Sequence, residues 1–299
     1  MKSLYKVFGK FWDGVKVGDD KLHATQVLPE GIKEITDIPY KNSGSIYHLL
    51  DVYYPEDVKG KLPVIVDIHG GGWMYATKDL NKIYCQYLAK RGFVVFNLSY
   101  RLVPEVTVPE QLRDVAEALV KINELMDVYP CDRNNVMLTG DSAGGQLASF
   151  TAAISRSEYL REQFDTANHG MDFSCLTLTS PVAFMNEGLP MGFYCRMMWG
   201  EKGMRRSMKR FMNIDELLNE TESFPPTFLV TSSGDFMALK QTRKLYKLML
   251  MKGVYAKLLD FPKFEGKDLP HVFGVLEPYS KAGTVYIDRM CEFFREHKR

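Results

Sequence analysis

No stretch of this 299-residue chain stays apolar for the length of a membrane span, and neither sign of charge predominates. Lysine and arginine number 38 against 37 aspartate and glutamate, a formal net charge of +1, which gives no electrostatic case for nucleic acid or an anionic lipid surface as a partner. Internal repeats, heptad runs and low-complexity tracts are absent from the sequence, so it reads neither as a solenoid, a coiled coil nor a disordered tail. The five cysteines, Cys85, Cys131, Cys175, Cys195 and Cys291, are widely spaced and form no C-x-x-C pair. Free thiols in a reducing cytoplasm are therefore expected. The first residues mix Lys6, Lys10 and Asp13 into their apolar positions, so no secretory hydrophobic segment is expected there. There is no H-E-x-x-H, no G-x-x-x-x-G-K-[ST] and no G-x-G-x-x-G, and neither a metal nor another cofactor is expected.

What is present is an ordinary globular composition, 45% hydrophobic and 25% charged. From about Ile46 strand-like and helix-like segments alternate, the order of a mostly parallel sheet covered on both faces. Strands are expected over Tyr47–Tyr54, Pro63–His69, Phe93–Tyr100, Asn135–Gly140, Ser174–Pro181, Pro226–Ser233 and Tyr255–Phe261. Helices are expected over Asp79–Arg91, from Pro109 to about Tyr129, directly after Gly140, over 238–252 and from Tyr279 to His297. The second carries Leu112, Val115, Ala116, Leu119, Ile122 and Met126 on one face. The whole chain, 1–299, reads as one domain.

Gly140-Asp141-Ser142-Ala143-Gly144 matches G-x-S-x-G in a strand, turn and helix context, which makes Ser142 the expected nucleophile. Glycines are needed because side chains two before and two after the serine would collide with the neighbouring strand and helix. Upstream, His69-Gly70-Gly71-Gly72-Trp73 follows an apolar strand. Glycines there let backbone N–H groups approach a developing oxyanion, so Gly71, Gly72 and Ala143 are the expected donors, with His69 organising the loop. Bulky Trp73 is expected beside the substrate pocket.

With the order nucleophile, acid, histidine, the three histidines before Ser142 are excluded as bases. His169 precedes the sixth strand and His297 lies in the closing helix, which leaves His271, in the loop between the last strand and the last helix. Asp235, just past the preceding strand in Thr231-Ser232-Ser233-Gly234-Asp235, is the expected acid, with Asp260, Glu265 and Asp268 as competitors.

These motifs, with SYRLVPE (Ser99 to Glu105), GDSAGG, SSGD and HVFGVLEP (His271 to Pro278), resemble the hormone-sensitive-lipase-like esterases and the related bacterial acetyl-esterase-like hydrolases over about two hundred residues. The resemblance implies an α/β-hydrolase fold with an eight-stranded sheet, a cap, no cofactor, and hydrolysis of short-acyl carboxylic esters as small-molecule substrates. Two departures stand out: SYRLVPE replaces the usual DYRLAPE, and Asp235 is followed by Phe236-Met237 where the family commonly has D-P-L.

The strand and helix alternation breaks over 183–223, which reads as a cap insertion, and residues 1–45 are expected to contribute to that cap. The insertion holds Met185, Met191, Met197, Met198, Met204, Met208 and Met212. These suit either an adaptable lid over an apolar substrate or plain packing of the insertion onto the body. Other hydrolases on the same three residues stay open: an acetyl-xylan or feruloyl esterase, an arylformamidase or a small peptidase. So does a ligand-binding protein that keeps the fold without turnover. A homo-oligomer is also open.

Overall fold

In the computed structural model, residues 2–185, 187, 198–200, 206 and 208–299 are described, with side chains from residue 9 onward. Eight strands form one sheet in the order β1-β2-β4-β3-β5-β6-β7-β8. They are β1 (Ile32–Pro39), β2 (Leu49–Pro55), β3 (Leu62–Ile68), β4 (Val94–Leu98), β5 (Cys131–Asp141), β6 (Cys175–Thr179), β7 (Thr227–Ser232) and β8 (Ala256–Phe261). The pairs β1–β2 and β2–β4 are antiparallel, and the rest are parallel. This is the α/β-hydrolase fold.

The parallel strands need apolar residues on both faces, because helices cover each side. Along β3, Val64, Val66 and Ile68 enter one core while Ile65 enters the other, as period-two alternation requires. The first core is closed by α3 (Val108–Leu125), α4 (Ser142–Ser155), α5 (Glu158–Phe164), α6 (Ile214–Asn219) and α7 (Leu239–Met251). The second is closed by α2 (Lys82–Lys90), the short α8 (Phe273–Leu276) and α9 (Lys281–Glu296), whose Tyr286, Ile287, Met290 and Phe294 are fully buried. Pro109 sits in the first turn of α3, where its missing N–H costs nothing, and Glu110 accepts from the Thr107 N–H and hydroxyl at 2.7 Å each.

The expected elements appear with shifted ends. Residues Ile46–His48 form a 3-10 turn capped by Ser45, so β2 starts later than Tyr47. Lys78–Asn81 likewise form a 3-10 turn capped by Thr77 before α2 begins. Two larger elements lie in the N-terminal segment, where the sequence pattern predicts neither: α1 (Lys2–His23) and the edge strand β1.

Within 183–223 the two ends are pinned together: Phe184 bridges Asn213, and the Ile214 N–H donates to the Ala183 carbonyl at 3.1 Å. Met185, Met198, Met208 and Met212 are buried in the first core, while Met191, Met197 and Met204 lie outside the described residues. Cys85, Cys131, Cys175 and Cys291 are buried free thiols; Cys195 lies outside the described residues. No described helix is long and apolar enough to cross a membrane.

Candidate active site

Strand β5 ends at Asp141 and α4 starts at Ser142, so a single residue turns the chain from strand to helix. Ser142 takes φ +52°, a left-handed conformation that costs a non-glycine residue about 1–3 kcal/mol. The turn closes only because its flanks are bare: a Cβ on Gly140 would lie 2.4 Å from the Gly144 carbonyl oxygen, and one on Gly144 would lie 2.0 Å from that of Ile68.

Loops at the C-terminal edge of the sheet bring three of the expected residues together. Ser142 Oγ lies 2.9 Å from His271 Nε2, and His271 Nδ1 lies 2.9 Å from Asp235 Oδ1. The Asp235 carboxylate is fully buried and also accepts the N–H groups of Ala238 at 2.8 Å and Met237 at 3.2 Å. Burial pushes its carboxyl up, but the hydrogen bonds and the charge of His271, with the Ser180 hydroxyl and Ala238 N–H, outweigh this and hold it below the usual carboxylate range. The competing acids are engaged elsewhere. Asp260 accepts from Arg243 at 2.7 Å, Glu265 from Lys281 at 2.7 Å, and Asp268 from the Ser233 hydroxyl at 2.9 Å.

The glycine loop after β3 is tied to this turn. The Gly70 N–H donates to Asp141 Oδ1 at 3.0 Å. His69 is fully buried, its Nδ1 2.7 Å from the Gly70 carbonyl and its ring stacked on Tyr100 at 4.3 Å. The Tyr100 hydroxyl in turn donates to the His69 carbonyl at 2.8 Å. Burial pushes His69 down to about 4, so it is neutral at physiological pH and fastens the loop rather than carrying charge. Gly71 and Gly72 take φ +103° and +55°, and among the described residues neither N–H is spent on a backbone hydrogen bond. Ala143 is fully buried in the first turn of α4, where backbone N–H groups lack intrahelical partners.

Trp73 departs from its expected place at the pocket. Its side chain packs in the first core, 3% exposed, and its indole N–H donates to Gln146 Oε1 at 3.0 Å. Trp73 itself takes a positive φ, +64°. The indole that lies over the glycine loop instead belongs to Trp12 of α1, stacked on Tyr75 at 5.4 Å. Nothing local in the sequence marks Trp12, because its contact spans about sixty residues of chain. The N-terminal segment also ties to the short helix that follows His271: Gln26 Nε2 donates to the Leu276 carbonyl of α8 at 2.6 Å. No group of three or more His, Cys, Asp or Glu among the described residues is placed to hold a metal ion.

Comparison with known proteins bears on this arrangement. Residues 50–178 match the family model described as BD-FAE. The crystal structure of esterase B from Lactobacillus rhamnosis (HN001) superposes with a TM-score of 0.93 at 28% identity, covering 99% of this chain and 95% of that one. Carboxylesterase NlhH of Mycobacterium tuberculosis is 29% identical over 157 residues, 48% of this chain and 46% of that protein. The isoprenylcysteine alpha-carbonyl methylesterase of Arabidopsis thaliana is 24% identical over 195 residues, 62% of this chain and 46% of its own length. The chain spans only 24%, 46% and 55% of the length of three such plant methylesterases.

Proposed function

We propose, for a chain that fits among the hormone-sensitive-lipase-like α/β-hydrolases, that it is a serine carboxylesterase acting on short-acyl esters, with Ser142 as nucleophile, His271 as general base and Asp235 as the orienting acid. The observation that carries this reading is the continuous chain of two 2.9 Å contacts from Ser142 Oγ through His271 to Asp235 Oδ1.

The chemistry follows from that line. His271 Nε2 takes the Ser142 proton as Oγ attacks the ester carbonyl, then returns it to the leaving alkoxide so that the alcohol departs. A water molecule, deprotonated by the same nitrogen, attacks the acyl-enzyme, and that nitrogen returns the proton to Ser142 Oγ as the Oγ–acyl bond breaks and the acid departs. Asp235 keeps the Nδ1 proton facing away from Ser142 and stabilises the imidazolium without taking its proton. In each tetrahedral intermediate the carbonyl oxygen carries a full negative charge, for which the Gly71, Gly72 and Ala143 N–H groups are the proposed donors.

Short acyl groups are favoured because the Trp12 indole from α1 covers the glycine loop and the 183–223 insertion enters and leaves the body beside α4. The related esterase B has been solved with a C4-C4 tributyrin phosphonate and in a form described as C6-C4 inhibited. The buried free thiols suit a reducing compartment such as the cytoplasm. The test is a series of p-nitrophenyl esters from acetate to palmitate, run beside p-nitrophenyl acetyl-sugars and N-formylkynurenine. A kcat/KM peak at acetate to butyrate is expected. Higher values for palmitate would overturn the short-acyl assignment, and higher values for the acetyl-sugars or the formamide would instead mark a carbohydrate esterase or an arylformamidase.

A further inference from the structure

Behind the nucleophile turn lies a buried cluster that the triad chemistry leaves unused. Asn81 Nδ2 donates to Asp67 Oδ2 and to Asp141 Oδ1, each at 2.8 Å, so one amide nitrogen joins two carboxylates. Asp67 is 1% exposed, Asp141 3% and Asn81 fully buried. Among the described residues no lysine or arginine pairs with either carboxylate.

The inventory of donors and acceptors is unbalanced. The two carboxylates and the Asn81 amide oxygen present more acceptor sites than the donors that reach them, which are the two Asn81 N–H groups, the Gly70 N–H and the weak Cys85 thiol. Among the described residues Asp67 Oδ1 has no nitrogen or oxygen partner, and Asn81 Oδ1 has none either. One proton added to this cluster relieves both the surplus of acceptors and the repulsion between two buried anions.

We propose that Asp67 holds that proton, leaving Asp141 as the single anion that fixes the oxyanion loop through Gly70, and that losing the proton loosens this bond and sets an alkaline limit on turnover. Burial raises Asp141 as well, but Asp141 is the better place for the charge, because it accepts two N–H hydrogen bonds and faces His271, whereas Asp67 accepts one N–H, from Asn81, and the weaker Cys85 thiol. Burial, then the charge of Asp141, pushes Asp67 up to about 8, while Asn81 and the Cys85 thiol pull the other way. The remaining titratable groups facing Asp67 are Cys85 and Tyr84 of α2, Tyr100 after β4 and Tyr286 of α9. Burial raises all four, so they stay neutral through this range and none supplies a positive charge.

A second negative charge at Asp67 would compete for Asn81 and repel Asp141. Asp141 would then be drawn off the Gly70 N–H, and the loop carrying Gly71 and Gly72 would lose its anchor. Asp67 is thus a positioning residue, acting on the reaction through Asp141.

The inference rests on the esterase reading for its kinetic test and is independent of it for its spectroscopic one. In wild type, kcat for p-nitrophenyl butyrate is expected to fall at least about threefold from pH 7 to pH 10, with a midpoint near 8. Asp67→Asn, which mimics the neutral acid, should stay within about threefold of wild type at pH 7 and lose the alkaline fall. A simple packing role for Asp67 would leave the fall in place. Infrared difference spectra of the wild type supply the proton count directly, including where Asp67→Asn fails to fold. A protonated-carboxyl band at pH 7 that titrates away near pH 8 is expected. A wild-type profile flat above pH 8, a limb that persists in Asp67→Asn, or no titrating band would overturn the proposal. Absence of ester hydrolysis by the wild type would instead sink the esterase reading and leave the infrared result to decide the proton.

Discussion

The indole of Trp12 occupies the space that a side chain on Gly72 would need: a Cβ there would lie 2.3 Å from Trp12 Cζ2 and 2.7 Å from Cη2. An N-terminal helix and the glycine loop of the candidate site are thus fitted to each other at van der Waals contact.

Gly72→Ala should therefore strain the loop twice, by the clash and by the φ of +55° that alanine resists. Removing one well-placed oxyanion donor costs about 10²–10³ in kcat, and displacing one is expected to cost at least about tenfold. Pairing Gly72→Ala with Trp12→Ala removes the clash and should recover part of kcat. Equal kcat values for the single and double variants would show that the indole does not constrain the loop.

Asp235→Asn should lose at least about a hundredfold in kcat with little loss of stability, since an amide can hold His271 in the unproductive tautomer. Asp268→Asn, whose carboxylate is held by Ser233 near the surface, should stay within severalfold of wild type. Steady-state kinetics on p-nitrophenyl butyrate decides the matter, and a crippled Asp268→Asn beside an active Asp235→Asn would reverse the assignment.

Acid should destabilise the fold through its buried histidines. Burial, then Arg161, pushes His169 down to about 4, against about 6.5 for an unfolded chain. Between those values the unfolded chain binds the extra proton. This contribution to stability is therefore complete above about pH 6.5 and is lost as pH falls toward 4. His169→Asn keeps an acceptor for the Met171 N–H, which His169 Nδ1 now receives at 3.1 Å. Urea denaturation at about pH 7 and about pH 4.5 should show a smaller acid loss for that variant than for wild type. An identical loss would assign the acid sensitivity to other groups.

The parts of the site that were legible in the sequence are local. Gly140 to Gly144 and His69 to Gly72 each carry their backbone requirement within five residues, and the apolar runs of β3 and β5 place them at one sheet edge. Asp235 and His271 could be chosen by position because the strand order fixes which loops meet. The N-terminal elements were not legible for the opposite reason. Strand β1 shows no clean alternation, since its partly buried positions recur every third residue around an irregular register between Ile35 and Ile38. Trp12 and Trp73 could not be told apart by composition. Which indole covers the loop is decided by Gln146, which holds the N–H of Trp73 in the core. The bridge from Asp67 through Asn81 to Asp141 likewise joins residues 14 and 60 apart and follows no motif.

The central claim is that Ser142 is the nucleophile, and active-site labelling tests it most directly. A fluorophosphonate probe should attach once to the wild type, with peptide mapping placing the adduct on Ser142, and should leave Ser142→Ala unlabelled while that variant stays folded. An adduct on any other serine, or labelling of Ser142→Ala at the wild-type rate, would contradict the account.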